Sequence, residues 1–151
     1  GVSALDALNA AVLSSLTSYL SPLTGVEGGH DVAAWMDAQR GQIFSARYSG
    51  DDLVDGPTAE KPADVLARWA RHRRDGAPRV FAGDGATAYA AIIRDVFPDA
   101  EVATFLPPLA PSVARLAEAH LRRHGPMAPD AIRPIYVRRS DAELARDRAK
   151  P

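Results

Sequence analysis

The sequence predicts an α/β fold: a mixed five-stranded sheet with helices on both faces. Two observations predict it. Three strand-like segments follow one another between His30 and Glu60, the first two separated by a short polar turn. From Pro62 onward, segments of helical spacing alternate with short apolar runs, which implies parallel strands joined by right-handed crossovers.

The elements follow in order. From Ser3 the apolar residues Leu5, Leu8, Val12, Leu16 and Tyr19 recur at helical spacing and predict an amphipathic helix that stops before Pro22. Gly25, Gly28 and Gly29 make a loop. His30–Met36 is nearly all apolar, as a central strand covered on both faces would be. Gln42–Tyr48 alternates instead, with Phe44, Ala46 and Tyr48 on one side and Ser45 and Arg47 on a wetter one. The segment Asp37-Ala38-Gln39-Arg40-Gly41 joins these two as an antiparallel hairpin. A third strand near Asp52–Glu60 carries Pro57, which lacks a ladder donor and so assigns it to an edge.

The second part comprises a helix at Pro62–Arg74, a strand at Arg79–Ala82 and a helix at Ala86–Phe97 with Tyr89, Ile92, Ile93 and Val96 on one face. A strand at Glu101–Phe105 runs into Pro107-Pro108. A helix at Ser112–His124 follows, with Val113, Leu116, Ala117, His120 and Leu121 turned inward. Met127–Arg139 reads as an extended return, and 140–151 as a charged tail beyond a single domain over 1–139. Three antiparallel strands followed by alternating helices and strands is the order of a ribonuclease-H-like half, the unit duplicated in actin-like and sugar-kinase-like (ASKHA) ATPases; fold alone does not fix function.

Composition narrows the function. Lys and Arg total 18 against 19 Asp and Glu, a net charge of −1, so no global positive excess draws the chain to nucleic acid or anionic membrane. Cysteine is absent, which excludes disulfides, thiolate zinc sites and a cysteine nucleophile, and accords with a reducing cytoplasm. No apolar run of about 18 residues suggests a membrane helix, and no basic region precedes Val12–Leu23 as a signal peptide requires.

Gly83-Asp84-Gly85-Ala86-Thr87-Ala88 follows a predicted strand and opens a predicted helix, and so meets the loose dinucleotide fingerprint. With Asp37 at the end of another strand, Gly83, Asp84, Gly85 and Thr87 are the candidate nucleotide-binding residues. The strand after this helix carries no terminal acid for a ribose hydroxyl, and a tight strand-to-helix turn capped by Asp84 or Thr87 explains the same residues. His120 and His124 have metal-ligand spacing, but Leu121 stands where a zincin has Glu and Arg122 and Arg123 flank the pair, so no metal is assigned. No G-x-S-x-G elbow supplies a serine nucleophile, and no catalytic residue is assigned. Arg71, Arg73 and Arg74, with Arg122 and Arg123, are candidate RNA contacts if they converge in space; otherwise they are solvated surface.

Several segments, in order and spacing, resemble the TsaB (YeaZ) family: the opening Gly1–Leu8, the hairpin Asp37-Ala38-Gln39-Arg40-Gly41-Gln42-Ile43-Phe44, Gly83-Asp84-Gly85-Ala86, and Pro134-Ile135-Tyr136-Val137-Arg138 followed by Asp141-Ala142. The hairpin resembles the family's Asp-Ala-Arg-Arg-Gly-Glu-Val-Tyr and departs from it at Gln39, Gln42, Ile43 and Phe44. The resemblance covers Gly1 to about Ala142 but begins partway into the family, so the chain reads as a C-terminal portion. It implies a degenerate actin-like ATPase fold with no cofactor of its own. It also implies a non-catalytic, cytoplasmic role: assembly with a TsaD-like catalytic subunit and a TsaE-like ATPase, supporting threonylcarbamoyl transfer to adenosine in ANN-decoding tRNA, which it meets only through the complex. An older family label is glycoprotease. Two other readings stand beside it: a small nucleotide-binding or kinase-like enzyme using the Gly83–Thr87 loop, and stand-alone RNA binding. A homodimer is also expected if apolar surface is left uncovered, with Val12, Leu13 and Leu16 as the candidate patch.

Overall fold

The computed structural model describes residues 3–24, 31–71, 77–103 and 108–128, with Val137 and Arg146, and side chains in the first helix as far as Ser14. That helix, α1 (Ala4–Thr24), is opened by Ser3 and Asp6 acting on each other. The Ser3 N–H donates to Asp6 Oδ2 at 3.1 Å and the Asp6 N–H donates to Ser3 Oγ at 3.0 Å, so two of the orphan amides of the helix start are satisfied. The backbone stays helical through Pro22 and ends at Thr24, beyond the predicted stop. So close to the C-terminus, the proline removes one intrahelical bond without ending the helix before it.

Strands β1 (Asp31–Asp37), β2 (Ile43–Ser49), β3 (Asp52–Glu60), β4 (Val80–Ala82) and β5 (Glu101–Val102) form one five-stranded sheet in the order β3-β2-β1-β4-β5. β1 pairs antiparallel with β2 and parallel with β4, and β4 pairs parallel with β5. This is the mixed, ribonuclease-H-like arrangement that the element order predicts. Val32, Ala33, Ala34 and Trp35 have no solvent exposure, which is why the central strand reads as an unbroken apolar run. β3 lies at the edge, as Pro57 requires, and contains a cis Gly56-Pro57 bond.

The alternation of side chains divides the core in two. On one face Ala33, Trp35, Ile43 and Phe81 pack against helix α2 (Pro62–Arg71) through Val65, Leu66 and Trp69, and against α4 (Ala90–Val96) through Ile93. Trp35 meets Phe81 edge-on with centroids 5.3 Å apart, and Trp69 lies 6.1 Å from both rings. On the other face Val32, Ala34, Ala46 and Tyr48 pack against Leu5, Leu8 and Val12 of α1. Helix α5 (Ala110–His124) lies against α1 on this second face, with Leu109 reaching the cluster.

Four further expectations are revised. The supposedly wetter side of β2 is buried: Ser45 and Arg47 are both covered, and Ser45 Oγ bonds Thr58 Oγ1 at 2.9 Å. The single helix expected at Ala86–Phe97 is two: α3 (Asp84–Ala88) and α4, separated at Tyr89. In α5 only Ser112 is buried; Val113 and Leu121, expected inward, are 39% and 52% exposed, and Ala117 and His120 are exposed too. Val12 is core and Leu13 packs against it, so neither forms the expected patch, and the Leu16 side chain lies outside the described residues. Also outside them lie the glycine loop at 25–29, positions 104–107, and the return and tail apart from Met127, Ala128, Val137 and Arg146.

Candidate functional site

Asp37, at the end of β1, and Asp84, just beyond β4, come together. Asp84 Oδ1 accepts the Asp37 backbone N–H at 3.1 Å and the Gly85 N–H at 2.9 Å. The Asp37 carboxylate turns back on its own hairpin, accepting the Gln39 N–H at 2.8 Å and Gln39 Nε2 at 2.9 Å. Those bonds hold a turn in which Gln39, Arg40 and Gly41 all have positive φ, at 62°, 57° and 72°. Thr87 Oγ1 donates to the Gly83 carbonyl at 3.2 Å, so Asp84 Oδ1 and Thr87 Oγ1 are both bonded to backbone.

The glycines have a packing role. Gly83 has φ 116°, and a Cβ there would overlap the Trp35 carbonyl oxygen; a Cβ on Gly85 would stand 3.0 Å from the Met36 carbonyl carbon. Small residues therefore let α3 start directly over β1, which is one of the jobs glycines do in a dinucleotide fingerprint. Asp37, Gly83, Asp84, Gly85 and Thr87 thus form one tight strand-to-helix junction, with the carboxylates bonded to main-chain and Gln39 N–H groups.

The arginine candidates among the described residues do not share a surface. Arg71 ends α2 on one face of the sheet, with its Nε donating to the Ala67 carbonyl at 3.1 Å. Arg122 and Arg123 lie on α5 over the opposite face, where Arg122 pairs with Glu118 at 2.7 Å. Arg73 and Arg74 lie outside the described residues.

Arg123 instead lines a groove of about 510 Å³ between α1 and α5. One wall carries Asp6 and Asn9, with Tyr48 and Asp51 beside them, and the other carries Arg115, Arg123 and the two histidines. The rings of His120 and His124 stand 4.7 Å apart along that wall. The Tyr48 hydroxyl donates to Asp6 Oδ1 at 2.7 Å. Burial, reinforced by the bond to Asp6 and its charge, raises the phenol far above its ordinary value of about 10. Above about pH 10 the unfolded chain therefore loses this proton while the folded chain keeps it, and stability falls by up to about 1.4 kcal/mol per pH unit. Tyr48→Phe is expected to cost about 1 kcal/mol at pH 7 and to flatten that alkaline limb, as denaturant titrations between about pH 8 and 11 will measure.

The sequence reading missed the groove. Its one local signal was Asn9, a polar residue among Leu5, Leu8 and Val12 on the buried side of α1. Pairing that residue with a helix a hundred positions later is a tertiary fact.

No family model matches the sequence, and no curated protein matches it significantly. The fold is shared with solved structures. A structure described as YeaZ from Pseudomonas aeruginosa superposes with a TM-score of 0.58 at 20% identity, covering 89% of this chain and 58% of that one. A second, described as an uncharacterized protein with similarity to peptidase YEAZ from Pseudomonas aeruginosa, gives 0.59 at 21% identity, covering 91% and 57%. At such identity the likeness establishes the fold, and the chain spans less than three-fifths of the length of either structure.

Proposed function

We propose that this chain is TsaB-like: a non-catalytic, cytoplasmic subunit that supports threonylcarbamoyl transfer to the adenosine of ANN-decoding tRNA by assembling with a TsaD-like catalytic subunit and a TsaE-like ATPase. The observation that carries the reading is the fold shared with a YeaZ structure over 89% of the chain. Two segments of the sequence resemblance, the hairpin Asp37–Phe44 and Gly83–Ala86, meet at one junction in the structure through the Asp37–Asp84 bond. In this reading the subunit acts by binding the catalytic partner's productive form better than its unproductive one, a linkage effect needing no chemistry of its own. The engagement of Asp37 and Asp84 with N–H groups of their own junction suits a part that is built to be rigid.

Isothermal titration calorimetry tests it, using this chain, and the chain extended to the length of the structures it matches, against the TsaD-type protein of the same organism. Saturable heat with the partner, by either form, is the expected result. Magnesium-ATP binding to either form with no heat from the partner would reject the subunit and favour a nucleotide-binding enzyme built on Asp37, Gly83, Asp84, Gly85 and Thr87.

A further inference from the structure

We infer that the groove between α1 and α5 is a binding site for a small zwitterion, a molecule carrying an N–H cation and a carboxylate or phosphate. The inference stands independently of the subunit reading. Its first support is Asn9, which is 3% exposed and lines the groove. Its Nδ2 donates to the Gly50 carbonyl at 3.0 Å, which fixes the amide and makes the other atom the acceptor. That acceptor, Oδ1, is buried and has no hydrogen-bond partner among the described residues. Folded proteins seldom leave such an oxygen unpaired, and a ligand N–H that displaces the atoms over it supplies what it lacks.

The second support is the opposition of charge across the groove. Asp6 and Asp51 lie with Asn9 on one side, and Arg115 and Arg123 line the other. Arg115 Nη2 donates to Ser112 Oγ at 3.0 Å, and no ion pair between Arg115 or Arg123 and a carboxylate forms among the described residues. A planar guanidinium with donors to spare suits a carboxylate or phosphate. The acidic wall suits the ammonium, whose hydrogens are also what Asn9 Oδ1 accepts. A volume of about 510 Å³ falls in the range of small-molecule sites. An RNA backbone is the poorer fit, because a polyanion laid along Arg115 and Arg123 would also meet Asp6 and Asp51.

The experiment is a two-dimensional amide NMR titration of the 151-residue chain with four probes: serine, O-phosphoethanolamine, phosphocholine and inorganic phosphate. Saturable shifts confined to residues around Asn9, Asp51 and α5, with a dissociation constant below about 10 mM for serine or O-phosphoethanolamine, are expected. Which of those two binds more tightly tells whether the oxyanion is a carboxylate or a phosphate. Phosphocholine has no N–H for Asn9 and inorganic phosphate has no cation, so each is expected to bind at least about tenfold more weakly than the better zwitterion. Arg115→Gln combined with Arg123→Gln, both exposed positions, should weaken the zwitterion at least about tenfold while the remaining spectrum keeps its dispersion. The inference is overturned if neither zwitterion saturates, if inorganic phosphate binds as well as they do, or if the double substitution leaves binding unchanged.

Discussion

Gly83→Ala is expected to abolish cooperative folding. At φ 116° an L side chain is strained before any contact is considered. Its Cβ would also overlap the Trp35 carbonyl oxygen and stand 3.0 Å from Leu8 Cδ2, so relief requires moving the central strand and α1 together. Trp35 is fully buried against Phe81 and Trp69, and that core has no slack to give. The cost should exceed about 4 kcal/mol, a large part of the roughly 5–15 kcal/mol that holds a domain folded. Two other glycines calibrate it. Gly85→Ala meets Met36 backbone at 3.0 Å with an ordinary φ and should cost about 1–3 kcal/mol, while Gly41→Ala, at φ 72° with open space around it, should cost about 1 kcal/mol. Thermal unfolding followed by circular dichroism gives the ranking, and a Gly83→Ala chain melting like the parent would refute the packing account of this loop. The outcome bears on function, because a phosphate loop would lose affinity on such a change and a packing junction loses the fold.

What could be read from the sequence was whatever one element's chemistry decides alone. The apolar run Val32–Trp35 announced a strand buried on both faces, Pro57 announced an edge, and the apolar spacing from Ser3 announced the first helix. The misreadings have long-range causes. Ser45 and Arg47 look like a solvated face, yet they are buried in a strand whose Ile43 packs with α2, from later in the chain. Tyr89 interrupts a helix without proline or glycine, at φ −111° and ψ 23°, while Ile92, Ile93 and Val96 keep the helical rhythm going past the break. The apolar spacing of Val113, Ala117 and Leu121 is real, but periodicity states only that a face is apolar, not that this chain supplies its cover. The site divided in the same way. Asp37 and Asp84 were legible because strand ends converge in this class of fold, whereas the groove needs α1 and α5 placed side by side, and no local pattern encodes that.

Asp55→Ala should be the most damaging change on the edge strand, at about 2–3 kcal/mol, and the reason is a tryptophan more than an ion pair. Asp55 Oδ2 accepts the indole N–H of Trp69 and an N–H of Arg68, the latter at 2.8 Å. The Arg68 and Asp55 side chains are 28% and 31% exposed, and an ion pair so open to water contributes at most about 1 kcal/mol. Trp69 is 2% exposed, so its N–H would be left without this acceptor beside the aromatic core. Arg68 retains Glu60 at 3.1 Å when Asp55 is removed, so the charge is less orphaned than the indole. Trp69→Phe made together with Asp55→Ala separates the two contributions. If the indole bond dominates, the pair of changes costs at least about 1 kcal/mol less than the sum of the singles, and the Asp55→Ala deficit varies little with salt. If the ion pair dominates, the singles add and salt erases the deficit. Loosening β3 has a further consequence, because its exposed Leu53 and Val54 lie on the strand that covers the β2 edge. A chain that frees that edge is expected to aggregate on partial denaturation before its helices melt, so light scattering should rise ahead of the loss of helical dichroism in Asp55→Ala and follow it in the parent.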